Sequence, residues 1–208
     1  PERALLIDAP YFVNQIEVIK NVAKSLPVDY ALYVKEHPIM RKLNWRRTSF
    51  YKQIIDLPNV VLIHPHEDSH ELIKNSSIVI TITGTGGLQA AFYKKPSIIF
   101  SDTIYSELSS VFRVKNIEEL PILIKTALNT EIDEKDVANI VNHIVGNSFE
   151  FDNLELTNEF YPFYGSAITN LEIKNEVMEI FLEKNKKIFE RLTYEHIKKI
   201  TVLKENQK

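Results

Sequence analysis

From residue 30 to residue 100 the sequence alternates short apolar runs with segments of helical periodicity, and this alternation constrains the fold more than any other feature. Tyr30-Ala31-Leu32-Tyr33-Val34 is rich in strand formers and lacks polar alternation, the pattern expected where a parallel strand is covered on both faces. The pattern then repeats, with a helix expected around Thr48 to Leu57, a strand at Asn59 to Ile63 and a helix at Ser69 to Asn75. A strand at Ile78 to Thr83, a helix at Gly87 to Tyr93 and a strand at Ser97 to Phe100 complete the series. Ahead of it, Phe12, Ile16, Ile19, Ala23 and Leu26 recur at spacings of three and four, which lines one face of a helix over Pro10 to Leu26 that Pro27 ends. Strands alternating with short helices make βαβ units with right-handed crossovers, so the expected class is α/β with a parallel sheet flanked by helices.

After Asp102 the pattern changes. A short apolar segment at Val111 to Val114 is followed by helical patterns at Ile117 to Leu128 and Asp133 to Val145, the second with Val137, Ile140, Val141, Ile144 and Val145 on one stripe. Beyond Gly146, Phe149, Phe151, Phe160, Tyr161, Phe163 and Tyr164 precede a charged segment read as one long helix, roughly Leu171 to Leu203, with Val177, Ile180, Phe181, Ile188 and Leu192 as its apolar positions. The expected organisation is an α/β domain over residues 1–148 and, over 149–208, an aromatic linker with a long C-terminal helix. That appendage would pack on the domain, on a further domain or on a second copy. Its apolar stripe is too irregular for a sustained heptad seam.

Composition narrows the function. The chain has 208 residues, 44% of them hydrophobic, enough for one substantial core. Its 25 basic and 28 acidic residues leave a net charge of -3, so no global positive field draws it onto nucleic acid. There is no Cys, which removes disulfides, thiolate metal sites and Cys nucleophiles and fits a reducing compartment. No apolar run approaches the ~18–20 residues of a membrane span, and Pro1-Glu2-Arg3-Ala4 does not open a secretory signal. The first residue is Pro rather than Met, so processing or a longer parent protein is expected.

The segment most suggestive of chemistry is Ile80-Thr81-Ile82-Thr83-Gly84-Thr85-Gly86-Gly87-Leu88-Gln89-Ala90-Ala91, an apolar strand that runs into a Gly/Thr turn and then a helix. It holds three of the five glycines. Glycine lets backbone amides approach a ligand, and Thr83 and Thr85 add hydroxyl donors, so the junction suits a phosphate. The same glycines could simply permit a tight turn, and the spacing is not that of the dinucleotide fingerprint. A second segment, Tyr33-Val34-Lys35-Glu36-His37-Pro38, places Lys35 and His37 at the carboxyl end of a strand, where open α/β sheets bind ligands. The alternative is a solvated lysine and a structural histidine before a proline turn.

Other clusters carry less. His64, His66 and His70 with Glu67, Asp68 and Glu71 match no familiar metal spacing, and Asp68 followed by Glu71 resembles a helix start. The run Arg41-Lys42-Leu43-Asn44-Trp45-Arg46-Arg47 could hold an acidic glycan or a phosphate, or be a solvated loop. Tyr161-Pro162-Phe163-Tyr164 could stack on sugar rings or pack a junction.

In order along the chain, Leu32-Tyr33-Val34-Lys35-Glu36-His37-Pro38, Leu57-Pro58-Asn59-Val60, Asp68-Ser69 before Leu72-Ile73, and Ile82-Thr83-Gly84-Thr85-Gly86-Gly87 with Lys95-Pro96 resemble the C-terminal domain of the capsule polysaccharide biosynthesis proteins. These are glycosyltransferases of the two-domain GT-B architecture. The resemblance spans roughly residues 1 to 115, and Pro1-Glu2-Arg3 resembles the point where that domain begins. It implies a Rossmann-like sheet that binds the nucleotide-activated sugar, with no obligatory cofactor or metal. The donor phosphates would lie near Thr83, Gly84, Thr85, Gly86 and Gly87, with Lys35 and His37 across the cleft as candidate phosphate or leaving-group stabilisers. Relatives show Gly-x-Glu-Ala where this chain has Gly87-Leu88-Gln89-Ala90. Gln89 keeps an acceptor oxygen for a ribose diol but loses the charge.

The resemblance further implies an N-terminal domain and a first strand outside this sequence, and with them the acceptor site and the catalytic base. The partners implied are a nucleotide sugar and a glycan or glycolipid acceptor, in a homo-oligomer or a membrane-associated synthesis complex, with no nucleic acid. The location implied is the cytoplasm, at the inner face of the membrane. Two rivals stand beside this reading: a teichoic-acid-type polyol phosphotransferase domain, which shares His-Pro after a strand and a later Gly/Ser/Thr turn, and a non-catalytic scaffold module that has lost donor binding.

Overall fold

The computed structural model describes residues 2–37, 46–164 and 174–205. The chain divides into two compact units, Pro1–Ile144 and Val145–Lys208.

The first unit contains every described strand. β1 (Leu32–Lys35) and β2 (Val60–Ile63) pair in parallel, in register from Leu32 with Val60 to Lys35 with Ile63. β3 (Val79–Thr81), β4 (Ser97–Ile99) and β5 (Val111–Arg113) form a second parallel sheet in that order. Between successive strands run α3 (Thr48–Ile55), α4 (Ser69–Asn75) and α5 (Gly86–Phe92), as the alternation requires. The architecture is therefore α/β and Rossmann-like, with parallel strands in two small sheets flanked by helices.

β4 shows how the second sheet is covered. Successive strand side chains point to opposite faces, and Ile98 and Ile99, both 0% exposed, join different clusters. Ile98 packs with Phe100, Val114, Val18 and Val22 of α2 (Gln15–Ser25), and Leu120, Ile124 and Ala127 at α6 (Leu120–Leu128). Ile99 packs with Ala91, Tyr105, Leu108, Val111 and Val137 of α7 (Glu134–Gly146). Fully burying one such aliphatic side chain stabilises by about 1.5–3 kcal/mol, so this strand is the centre of the unit.

The β1–β2 sheet differs from expectation. Leu32, Val34 and Leu62 pack on Ile16, Ala23, Ile54 and Val60, whereas Tyr33 is 62% and Val61 41% exposed. Among the described residues one face only is covered, because α2 and α3, which pack on each other, also pack on β1 and β2 respectively. The helix expected over Pro10 to Leu26 also divides: a 3-10 turn at Pro10–Phe12 precedes α2, and the Asn14 side chain caps α2 by accepting from the Glu17 amide at 3.3 Å. A helix absent from the sequence reading, α1 (Glu2–Asp8), comes first.

The second unit is helical: α8 (Asn153–Tyr164), α9 (Asn175–Lys184) and α10 (Lys186–Glu205). The aromatic stretch is thus largely helix rather than linker. The one long helix expected from Leu171 to Leu203 is two within the described residues, broken at Asn185; positions 171–173 lie outside them. Asn185 is 3% exposed, and both its backbone N–H, at 3.1 Å, and its side-chain amide, at 3.0 Å, donate to the Phe181 carbonyl. Phe181, 4% exposed, packs against Phe160 and Phe189 at ring separations of 4.8 and 6.0 Å.

Candidate functional site

β3 ends at Thr81, and the chain turns through residues 82–85 into α5. Both backbone groups of Gly84 are held from within the protein. Its amide donates to Thr81 Oγ1 at 3.1 Å, and its carbonyl accepts from the Tyr105 hydroxyl. The three glycines of the turn have unequal reasons to be glycine. A Cβ at Gly84 would lie 2.7 Å from Thr81 Oγ1, and one at Gly87 would lie 2.8 Å from both Tyr105 Cε2 and Oη and 3.1 Å from Ser97 Oγ. A Cβ at Gly86 would meet nothing within 4 Å. Packing therefore requires Gly84 and Gly87, and it leaves Gly86 open on its outer side.

Thr85, which precedes α5, has φ -67 and ψ -7, makes no side-chain capping bond and is exposed. Thr83 is half-buried, as is Gln89, which lies one turn into α5 with its amide bonded to the Thr85 carbonyl at 3.0 Å. Thr83, Gly84, Thr85, Gly86, Gly87 and Gln89 thus share one junction. Lys35 and His37 stand elsewhere, at the carboxyl end of β1 on the two-stranded sheet, Lys35 half-buried and His37 exposed.

Sequence reasoning overlooked Glu36, which lies between them. Arg46 Nε donates to Glu36 Oε2 at 2.9 Å, each side chain being 13% exposed, and Arg46 Nη2 donates to Gln15 Oε1 at 2.6 Å. The guanidinium also lies 4.4 Å from the centre of the Phe50 ring. Burial, and then the charge of Glu36, push the Tyr51 phenol above its ordinary range. Arg46, read with a basic run, is therefore an internal partner of Glu36; positions 41–45 of that run and the side chains at 161–164 lie outside the description. A charged residue at the end of an apolar strand was the available signal for Glu36. A second overlooked pair, Asp102 with Arg113, joins the carboxyl ends of β4 and β5 at the surface.

Asp68 caps α4, accepting from the amides of His70 at 2.7 Å and Glu71 at 3.3 Å, as the helix-start reading expects. The His70 ring bonds the Tyr93 hydroxyl at 3.2 Å. Among the described residues no three His, Asp or Glu side chains come together as a metal site needs. An open depression on the second unit, lined by Glu179, Glu183, Lys186 and Glu190, is mainly acidic and does not suit a phosphate. Among the described residues no helix is long and apolar enough to cross a membrane.

A Rossmann-like α/β unit with a Gly/Thr turn at the carboxyl end of a parallel strand belongs to a class that places ligands at that edge. Residues 12–108, just under half of the chain, match the family model described as capsule polysaccharide biosynthesis protein, and this match supports a capsule polysaccharide biosynthesis family. The match includes both the Lys35–His37 segment and the turn. No curated protein and no solved structure matches the chain significantly.

Proposed function

We propose that the chain is the sugar-nucleotide-binding part of a GT-B glycosyltransferase that acts in the synthesis of capsular or other surface polysaccharide. The observation that carries this reading is Gly86, a glycine inside the matched span that neither backbone strain nor packing requires, and whose open side would let a ligand approach the turn. The donor's phosphates would lie against Thr83, Thr85 and Gly86. Gln89 would accept from the ribose, and Lys35 and His37 would supply positive charge or hydrogen bonds from the other sheet. In sugar transfer the leaving phosphate must be stabilised and the acceptor hydroxyl deprotonated. This chain would contribute the first task, with no obligatory metal. The acceptor and the base would come from another domain, in the cytoplasm at the membrane's inner face.

Titration calorimetry with CMP, UDP, GDP and CDP tests the proposal. Saturable binding of one of them is expected, weakened about tenfold in Thr85→Ala and in His37→Ala, the loss that one hydrogen bond to a charged group brings. Absence of binding by all four at millimolar concentration would favour the scaffold alternative.

A further inference from the structure

Tyr105 follows β4 in sequence, 21 residues beyond Gly84, yet it forms the floor of the glycine turn. It is 2% exposed, its ring lies directly under Gly87, and its hydroxyl donates to the Gly84 carbonyl. Burial raises its phenol pKa, while hydrogen bonds with Thr103 and the Gly87 backbone pull the other way. The hydroxyl therefore keeps its proton at neutral pH.

The bond to Gly84 has a consequence for the next residue. The Gly84 carbonyl and the Thr85 amide belong to one peptide unit, and the described residues contain no cis peptide bond. In a planar trans peptide the C=O and N–H point in opposite directions. With the carbonyl drawn inward onto Tyr105, the Thr85 N–H points outward, and no acceptor for it occurs among the described residues. Glycine resists rotation of such a peptide less than any other residue. Without the tyrosine hydroxyl the unit can turn over, which would present a carbonyl oxygen where an anion needs a donor.

We propose that Tyr105 is the positioning residue of this turn, holding the Gly84–Thr85 peptide so that the Thr85 amide faces the phosphoryl groups of a nucleotide. The inference rests on the nucleotide reading of the site. It adds an outward donor and the buried residue that aims it. Ser97 provides the contrast within the same pocket: its hydroxyl, 1% exposed and lying under Gly87, has no hydrogen-bond partner among the described residues, so it aims nothing.

The test uses the full chain and whichever of CMP, UDP, GDP and CDP it binds, beside the matching nucleoside without phosphate. Tyr105→Phe keeps the ring under Gly87 and is expected to weaken nucleotide binding about tenfold, to leave nucleoside binding unchanged and to shift the Thr85 amide resonance before any ligand is added. Ser97→Ala is expected to change none of these. Should Tyr105→Phe fold poorly, Thr85→Pro removes the same amide at a residue whose φ of -67 already suits proline. It is expected to bind the nucleotide at least about tenfold more weakly than Thr85→Ala, which keeps that amide. A folded Tyr105→Phe that binds the nucleotide as tightly as the parent overturns the inference and leaves the nucleotide reading intact. Equal losses for nucleotide and nucleoside would show that Tyr105 only supports the fold. Failure of the parent chain to bind any of the four overturns the nucleotide reading, and the inference with it.

Discussion

Gly86→Ala and Gly87→Ala add the same methyl group at neighbouring positions of one turn, and their expected effects on stability are opposite in sign. At Gly86 the methyl meets nothing and the unfolded chain loses freedom, so stability is expected to rise by about 0.4–1 kcal/mol. At Gly87 it meets the Tyr105 ring and Ser97, and the overpacking is expected to cost about 1–3 kcal/mol. Urea unfolding of both variants checks this, and calorimetry should find Gly86→Ala deficient in nucleotide binding despite its stability. At the other sheet, Arg46→Ala would leave the half-buried Glu36 without this cation. A loss of about 2–4 kcal/mol is expected in the same unfolding experiment. Arg46→Lys should recover only part of it, since an ammonium lacks the planar fork that reaches Glu36 and Gln15 together.

Among the elements, α7 is tied to the loop before β5 by a carboxylate. Asp136 Oδ2 accepts from the Ser109 amide at 2.7 Å, and bonds from the Ser109 backbone and then its side chain hold the Asp136 pKa below its ordinary 3.8. A carboxylate whose pKa is depressed by folding stabilises the fold above its unfolded value, and that contribution is lost as pH falls through the folded one. Thermal unfolding should therefore find Asp136→Ala less stable than the parent at neutral pH, with the difference shrinking below about pH 4. The α9–α10 junction shows what periodicity misses. Its apolar positions continue through Asn185, where the helix breaks and a buried side-chain amide shares the Phe181 carbonyl with the residue's own backbone N–H. Helix ends were legible where a cap lies in the sequence, as at Asp68 and Ser69, and illegible where the signal is one buried asparagine.

For the whole molecule, the three apolar clusters of Pro1–Ile144 are formed within that unit, so a fragment of residues 1–148 is expected to unfold cooperatively by itself. Circular dichroism during heating would reveal a single transition, whereas a non-cooperative slope would mean that the second unit is needed for folding. The alternation of strand and helix, the glycine turn and the capped helix start at Asp68 were set by the sequence itself, because each depends on residues within a few positions of one another. Tertiary structure alone decided that the strands form two sheets, that Tyr33 remains exposed, and that Glu36 takes Arg46 across 10 residues. It also placed Tyr105 beneath a turn 21 residues earlier. The physical reason is range: periodicity and capping report on neighbours along the chain, while pairing, burial and the aiming of a peptide unit depend on groups that meet only after the chain has folded.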